Sequence, residues 1–418
     1  MKETDYPLSE VPASARKGLL STSLVLLGFT FFTATMWAGG SLGTSFSFYQ
    51  LLLVILIGNL LLGIYASTLA YIACKSGLNS VLMGRFCFGE RGSKLSDFIL
   101  GFTQIGWYAW GTATLAIVLI KTTGLPETLE TPLMILFGFA FCVTAMVGYK
   151  GLDWLSRFAV PAMMLFILLS LYTGLTDIGG LSVLVGLTPT DSMSMTAAVT
   201  VIIGTFVSGG TQATNWSRFA ASPKIAVIAT MAAFFVGNGL MVLTGAFGAL
   251  IYQQADIVDV LIAQGFVVIA VLMLFLNIWT TQDNTIYNFS VAGCNLLRTD
   301  KRQLITICGA AIGTVLAVGG MYNLLIPFLI LLGTFIPPIG GVIMADFWLR
   351  HKGRYPKLDE VSLPAFNWCG LGAYAVGSSA AYFSPVLPPV VGVICAVLGY
   401  MVLSKVPVAN HDLSTERS

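Results

Sequence analysis

Long apolar runs separated by short polar joints make up almost the whole chain. No charged residue lies between Lys17 and Lys75, between Arg302 and Asp346, or between Glu360 and Lys405. One bilayer crossing takes about 20 apolar residues, so each of these stretches is long enough for two helices. The full pattern predicts twelve spans, at 19–44, 50–74, 98–120, 132–149, 158–176, 195–217, 225–251, 262–285, 303–321, 323–345, 365–383 and 386–404.

Two spans look interrupted in the same way. Span 1 contains LLGFTFFTATMWAGG (Leu26–Gly40) and span 6 contains IIGTFVSGGTQATNW (Ile202–Trp216). Each has a glycine, then threonine and aromatic residues, then a glycine pair. Glycine pairs also serve close helix packing. Two of them at equivalent places in oppositely directed halves favour broken helices, which expose backbone only where it lines a cavity or ligand. A rise of about 1.5 Å per residue from the basic anchors puts the interruptions mid-bilayer, near Gly28 and near Ser208. The expected organisation is a tail (1–18), a five-helix repeat (19–176), an inverted five-helix repeat (195–345), two appended helices (365–404) and a second tail (405–418).

Composition turns this pattern into a class. The chain of 418 residues is 56% hydrophobic and 10% charged, with mean hydropathy +0.86, where soluble domains carry about a quarter charged residues. It is predicted to be an all-α polytopic membrane protein. The N-terminal MKETDYPLSEVPASARKG is polar and reads as a cytoplasmic tail rather than a signal peptide. With that tail inside, 20 of the 21 basic residues fall on the cytoplasmic side and only Lys121 outside, the bias expected of a correct span count. Outer joints carry Glu127, Glu130, Asp177, Asp191, Asp256 and Asp259. Both termini are therefore expected in the cytoplasm.

The seven cysteines are dispersed without a CxxC, and the histidines, His351 and His411, stand alone. No disulfide framework, metal-site spacing or nucleophile–base set is visible, so no catalytic residue is assigned and an enzyme is not expected. Neither a nucleic-acid partner nor an obligate protein partner is indicated, and the lipid bilayer is the surrounding medium.

Polar side chains inside spans carry the candidate chemistry. After FVVIAVLMLF comes LNIWTTQDNTIYNF (Leu276–Phe289), in which Asn277, Thr280, Thr281 and Asn284 follow helical spacing on one face. The counterpart span 3 offers Gln104 and Trp107. Carbonyls of span 1 with the oxygens of Asn277, Thr280 and Thr281 form an all-oxygen set suited to sodium. Trp107 and Phe206 offer flat faces, and Gln104 an amide. Trp107 as packing bulk and Gln104 as inter-helix glue are the plain alternatives. No Arg or Lys is expected at this depth, which points to a neutral, planar cargo with an amide-like edge. Asp283 lies off the Asn277 face, further toward the basic side. Pairing with a basic residue at the inner surface and a proton-coupling role both stay open for it. Pro337 and Pro338 should bend span 10, as a gate or as a static kink.

Several segments together resemble the nucleobase:cation symport family: SARKG (14–18), LGFTFFTATMWAGG (27–40), GNLLLGIY (58–65), GRFCFGERGS (84–93), TQIGW (103–107), NIWTTQDN (277–284) and IPPIGGVIMAD (336–346). The resemblance implies a leucine-transporter-like fold of twelve helices, with helices 1 and 6 discontinuous. It implies sodium-coupled import by alternating access across a bacterial inner membrane, with sodium as coupling ion and no other cofactor. The implied cargo is cytosine; a proton-coupled carrier of another nucleobase or a hydantoin-like ring is the alternative. The base would lie between Trp107 and Phe206 and be read by Gln104, with Ser208, Asn277 and backbone from Gly204 to Gly209. Sodium would be held by carbonyls of Gly28 and Phe32 and by Asn277, Thr280 and Thr281, and Phe32 is also a candidate gate. Hydantoin-carrying members place tryptophan where this chain has Phe206, and members tend to have a small residue at Asn277.

Overall fold

A computed structural model describes residues 6–254 and 257–405. Lys2, Asp256, His411 and Arg417 lie outside the described residues, as do the outermost parts of both tails. The described chain is helical, with one isolated bridge between Lys17 and Ala220. Each of the twelve expected spans is occupied by one helix or a short series of helices. By length and composition alone, six described helices qualify as crossings, or up to eight if two bent pairs each count once. The other spans fall short because they are broken, polar or brief.

Span 1 is sharply interrupted. Leu19–Thr30 and Thr33–Gly43 meet at 56°, with Phe31 (φ −76°, ψ 86°) and Phe32 (φ −132°, ψ 131°) outside helical geometry. Gly28, the expected position, lies inside the first helix. Phenylalanine and threonine are mediocre helix formers, and tertiary packing decides the point of rupture. Phe29 packs against Phe206 and Trp216, Phe31 lies beside Gly237, and Phe32 meets Trp107 and Trp110.

Span 6 corrects the second expectation. Its helix runs unbroken from Met195 to Gln212, through Ser208 and the glycine pair, and turns only at Ala213 before the short helix Thr214–Ser217. Its glycines make room instead. A Cβ on Gly209 would sit 2.6 Å from the Phe29 ring, and one on Gly210 3.3 Å from Ala66. The second half of span 1 packs on span 7 by the same means. A Cβ on Gly39 would lie 2.2 Å from the Val242 carbonyl oxygen, and one on Gly245 1.9 Å from that of Met36.

Span 8 is longer than its hydropathy suggests. The helix covers Val267–Leu297 and closes on Arg298 in the left-handed region (φ 53°). The polar stretch from Asn277 therefore lies within the helix rather than at its end. Its buried Asn277, Thr280, Thr281, Asn284 and Asn288 are sheltered by neighbouring spans. Span 5 likewise starts early, at Tyr149, so Lys150 and Arg157 ride on the helix rather than in a joint.

The end of the molecule that carries most basic residues is closed by the N-terminal segment. The Arg16 guanidinium donates to the carbonyls of Cys74 (3.0 Å), Arg218 (2.7 Å) and Ala220 (3.2 Å). The Lys17 amide donates to Phe219 O at 2.6 Å, and Arg218 reaches back to the carbonyl of Tyr6 at 2.8 Å. At the opposite end Lys121 pairs with Asp259 at 2.7 Å.

Candidate functional site

A helix that stops leaves its last carbonyls without intrahelical donors. At the break in span 1 these carbonyls face span 8. The Thr281 hydroxyl lies 3.2 Å from Phe31 O and 3.4 Å from Phe29 O, and 3.2 Å from the Asn277 carbonyl. The Thr280 hydroxyl donates to Leu276 O (3.1 Å) and Asn277 O (3.0 Å). Gly28 is adjacent: a Cβ there would meet Thr280 Cβ at 3.7 Å and Ser156 Oγ at 2.5 Å. Ser156, from span 5, is buried, and its hydroxyl has no hydrogen-bond partner among the described residues. Neutral oxygens converge here without a carboxylate. That donor chemistry fits a singly charged hard cation of the sodium type.

Two members of the expected set shift. The carbonyl that reaches Thr281 is Phe31's, while that of Phe32 accepts the Thr35 amide at 3.0 Å. Asn277 brings its main-chain oxygen to this level. Its side-chain carbonyl accepts the Thr33 hydroxyl at 2.8 Å, so the amide ties span 8 to the far half of span 1.

The Phe32 ring connects this oxygen cluster to an aromatic one. It meets Trp107 edge-on at 5.5 Å, Trp110 at 5.6 Å and Phe206 at 6.2 Å. Phe328 covers another side of Trp107 at 5.3 Å. The Trp107 indole N–H donates to Ser208 Oγ at 3.3 Å, linking span 3 to span 6. Trp107, Phe206 and Ser208 of this cluster are buried, as is Gln104, one turn before Trp107 on the same helix. Gly204 to Gly209 lie within a regular helix, which commits their amides and carbonyls to the helical ladder. That stretch contributes side chains here rather than free backbone.

The remaining candidates sit elsewhere. Asp283 is buried between spans 4 and 8, bonded by Thr144 Oγ1 at 3.1 Å and Asn284 Nδ2 at 3.1 Å. No described basic side chain pairs with it, which removes the expected partner at the inner surface. The helix continues for four turns beyond it, keeping it away from that surface. Asn284 shares the face of Thr281 but donates to Thr280 O at 2.6 Å, inside its own helix. Pro337 and Pro338 start a new helix after Phe335 and stand outside the cluster. The carbonyl of Phe335 accepts from Tyr374 Oη at 3.2 Å, and Pro338 lies against Gly392. Tyr374 of span 11 and Gly392 of span 12 thus pack against the joint between the two helices of span 10.

Sequence reasoning missed Thr33, the Phe31 carbonyl, Ser156 and a second amide layer. Asn288 donates to Gln104 Oε1 at 3.4 Å and accepts from Asn215 Nδ2 at 2.6 Å. The signal for Asn288 was present, since 277, 281, 284 and 288 continue one helical face. A span 8 that ends at 285 leaves it out, whereas the helix runs to Leu297. Thr33 and Ser156 carry no pattern that marks them.

Residues 10–406 match the family described as permease for cytosine/purines, uracil, thiamine, allantoin. The chain belongs to that family. It is 40% identical to the cytosine permease of Escherichia coli (strain K12) over 410 residues, which cover 98% of this chain and 96% of that protein. It is 23% identical to the hydantoin permease of Microbacterium maritypicum, across 91% of this chain and 84% of that one. Among solved structures it resembles Mhp1, a nucleobase-cation-symport-1 family transporter, in a closed conformation with bromovinylhydantoin bound. The TM-score is 0.86 at 18% identity, covering 97% of this chain and 95% of that one. A Na+-coupled sialic acid symporter superposes with TM-score 0.71 at 13% identity, covering 93% and 90%. The nucleobase:cation symport resemblance is thus shown, and the fold is of the expected leucine-transporter-like class. The protein is a multi-pass membrane permease of the nucleobase-transporter class and not an enzyme.

Proposed function

We propose that this permease imports cytosine together with sodium by alternating access. One observation carries the reading. The break in span 1 turns two carbonyls toward Thr281 of span 8, and the next residue, Phe32, sets its ring against both Trp107 and Phe206. One non-helical joint therefore belongs to both the oxygen cluster and the aromatic cluster. Sodium held by the Phe31 and Phe29 carbonyls, the Thr280 and Thr281 hydroxyls and the Asn277 carbonyl fixes the joint. Fixing it sets where Phe32 stands. A flat base enters when the Phe32 edge withdraws, between Trp107 and Phe206, with Gln104 and Ser208 offering polar contacts at its rim. Linkage requires sodium and base to raise each other's affinity by the same factor. Cytosine fits a site of this kind, being uncharged and planar with an amine donor beside a ring acceptor.

On this reading a four-helix bundle rocks against the scaffold of spans 3, 4, 8 and 9, and the protein lies in a bacterial inner membrane. Both termini are cytoplasmic, in keeping with the basic bias of the inner joints. Opening toward the cytoplasm requires Arg16 to leave the carbonyls of Cys74, Arg218 and Ala220. The test is uptake of radiolabelled cytosine into proteoliposomes with sodium or choline outside. Sodium-dependent uptake that is lost in Thr281→Ala supports the proposal, and equal uptake in both media refutes it.

A second reading rests on Asp283, a carboxyl buried without a basic partner among the described residues. Proton coupling through it predicts that Asp283→Asn flattens the pH dependence of uptake. Sodium coupling predicts an unchanged profile.

A further inference from the structure

Gln104 is the first of three buried amides in a row, drawn from three spans. Asn215 of span 6 donates through Nδ2 to Asn288 Oδ1 of span 8 at 2.6 Å, and Asn288 donates through Nδ2 to Gln104 Oε1 of span 3 at 3.4 Å. Their exposures are 1%, 0% and 1%, so water does not reorient them. A primary amide has a donor end and an acceptor end. A file of amides therefore has a direction, and fixing one member fixes the next. Here the direction engages the carbonyl oxygen of Gln104, and among the described residues nothing accepts from its Nε2. The far end is anchored where the molecule is closed: the Arg218 Nε donates to the main-chain oxygen of Asn215 at 3.3 Å, and the same guanidinium holds the carbonyl of Tyr6.

We infer that Asn288 is a positioning residue for base selection, which turns Gln104 so that its amide N–H groups face the cargo. This rests on the reading of Gln104 as the group that meets the base. An N–H donor complements the ring acceptor of cytosine. Uracil carries an N–H at that ring position, so the same orientation sets donor against donor. Without Asn288, Gln104 is free to rotate and presents either end, and discrimination falls while the pocket walls stay in place.

The test is competition binding of cytosine and uracil to the purified full-length permease, with sodium present. It compares wild type, Asn288→Ala, Gln104→Ala and the double variant. Sodium binding without base reports that each variant is folded. Asn288→Ala is expected to lower the cytosine-to-uracil affinity ratio about tenfold, the order of one oriented hydrogen bond. It should change nothing further in the Gln104→Ala background, because it acts only through Gln104. A ratio within twofold of wild type in Asn288→Ala overturns the inference. So does a second, additive loss in the double variant. If Gln104→Ala alone leaves the ratio intact, the base-reading role of Gln104 is what fails, and that result is separate from the previous two. Should Asn288→Ala not fold, Asn215→Ala cuts the same file one step earlier. It should lower the ratio in the same direction, and an unchanged ratio again overturns the inference.

Discussion

Spans 1 and 6 each carry a glycine pair flanked by threonine and aromatic residues, yet only span 1 is sharply bent, by 56°. In span 6 the pair is closed upon, Gly209 by Phe29 and Gly210 by Ala66, inside an unbroken helix. In span 1 the rupture falls on Phe31–Phe32, three residues past Gly28, where Phe29 and Phe32 share Phe206 but also reach Trp216 and the Trp107–Trp110 pair, respectively. Glycine composition alone does not break a membrane helix. What breaks span 1 is a set of side chains that a straight helix cannot satisfy at once, with a partner helix whose Thr281 hydroxyl donates to the released carbonyls. Span 6 instead supplies walls, through Phe206 and Ser208.

The contrast can be attacked from the largest expected effect downward. Gly245→Val should be the most damaging, since even a Cβ would lie 1.9 Å from Met36 O, and backbone cannot yield as a side chain can. The expected loss is at or above the upper part of the usual overpacking range of about 1–3 kcal/mol. A thermal melt in detergent that matched wild type would show that the second half of span 1 is not wedged on span 7. Next, Thr281→Ala removes the hydroxyl that meets the Phe31 and Phe29 carbonyls. Sodium affinity should drop at least about tenfold, or about 1.4 kcal/mol, with the melt in sodium-free buffer little changed. Gly209→Ala should cost about 1–2 kcal/mol of stability, because the Phe29 ring is able to shift. A cost equal to that of Gly245→Val would mean that the two spans use glycine alike. The smallest effect belongs to Thr33→Val, which deletes one hydrogen bond to Asn277 and should weaken sodium binding by about 1 kcal/mol or less.

Much of this was legible in the chain. The twelve apolar runs, the all-α class and the family followed from hydropathy, basic bias and motifs. Trp107, Phe206, Thr280 and Thr281 were singled out because polar or flat groups inside apolar runs need a reason. What was not legible has a common cause. The position of the break in span 1, the Phe31 carbonyl and the contact of Ser156 with Gly28 depend on which side chains meet across helices, and no spacing within one helix encodes that. The basic partner expected for Asp283 is absent among the described residues for a simpler reason. Ending span 8 at 285 placed it near a surface, whereas the helix continues to Leu297 and Thr144 supplies its partner.

Everything proposed for transport depends on one joint serving both ion and base. The most direct measurement is the cytosine dissociation constant of the purified protein by calorimetry, across a sodium series at constant ionic strength with choline as the replacement. The account predicts that cytosine binds more tightly as sodium rises, and that saturating cytosine tightens sodium by the same factor. A cytosine affinity that stays constant from choline to sodium would contradict it.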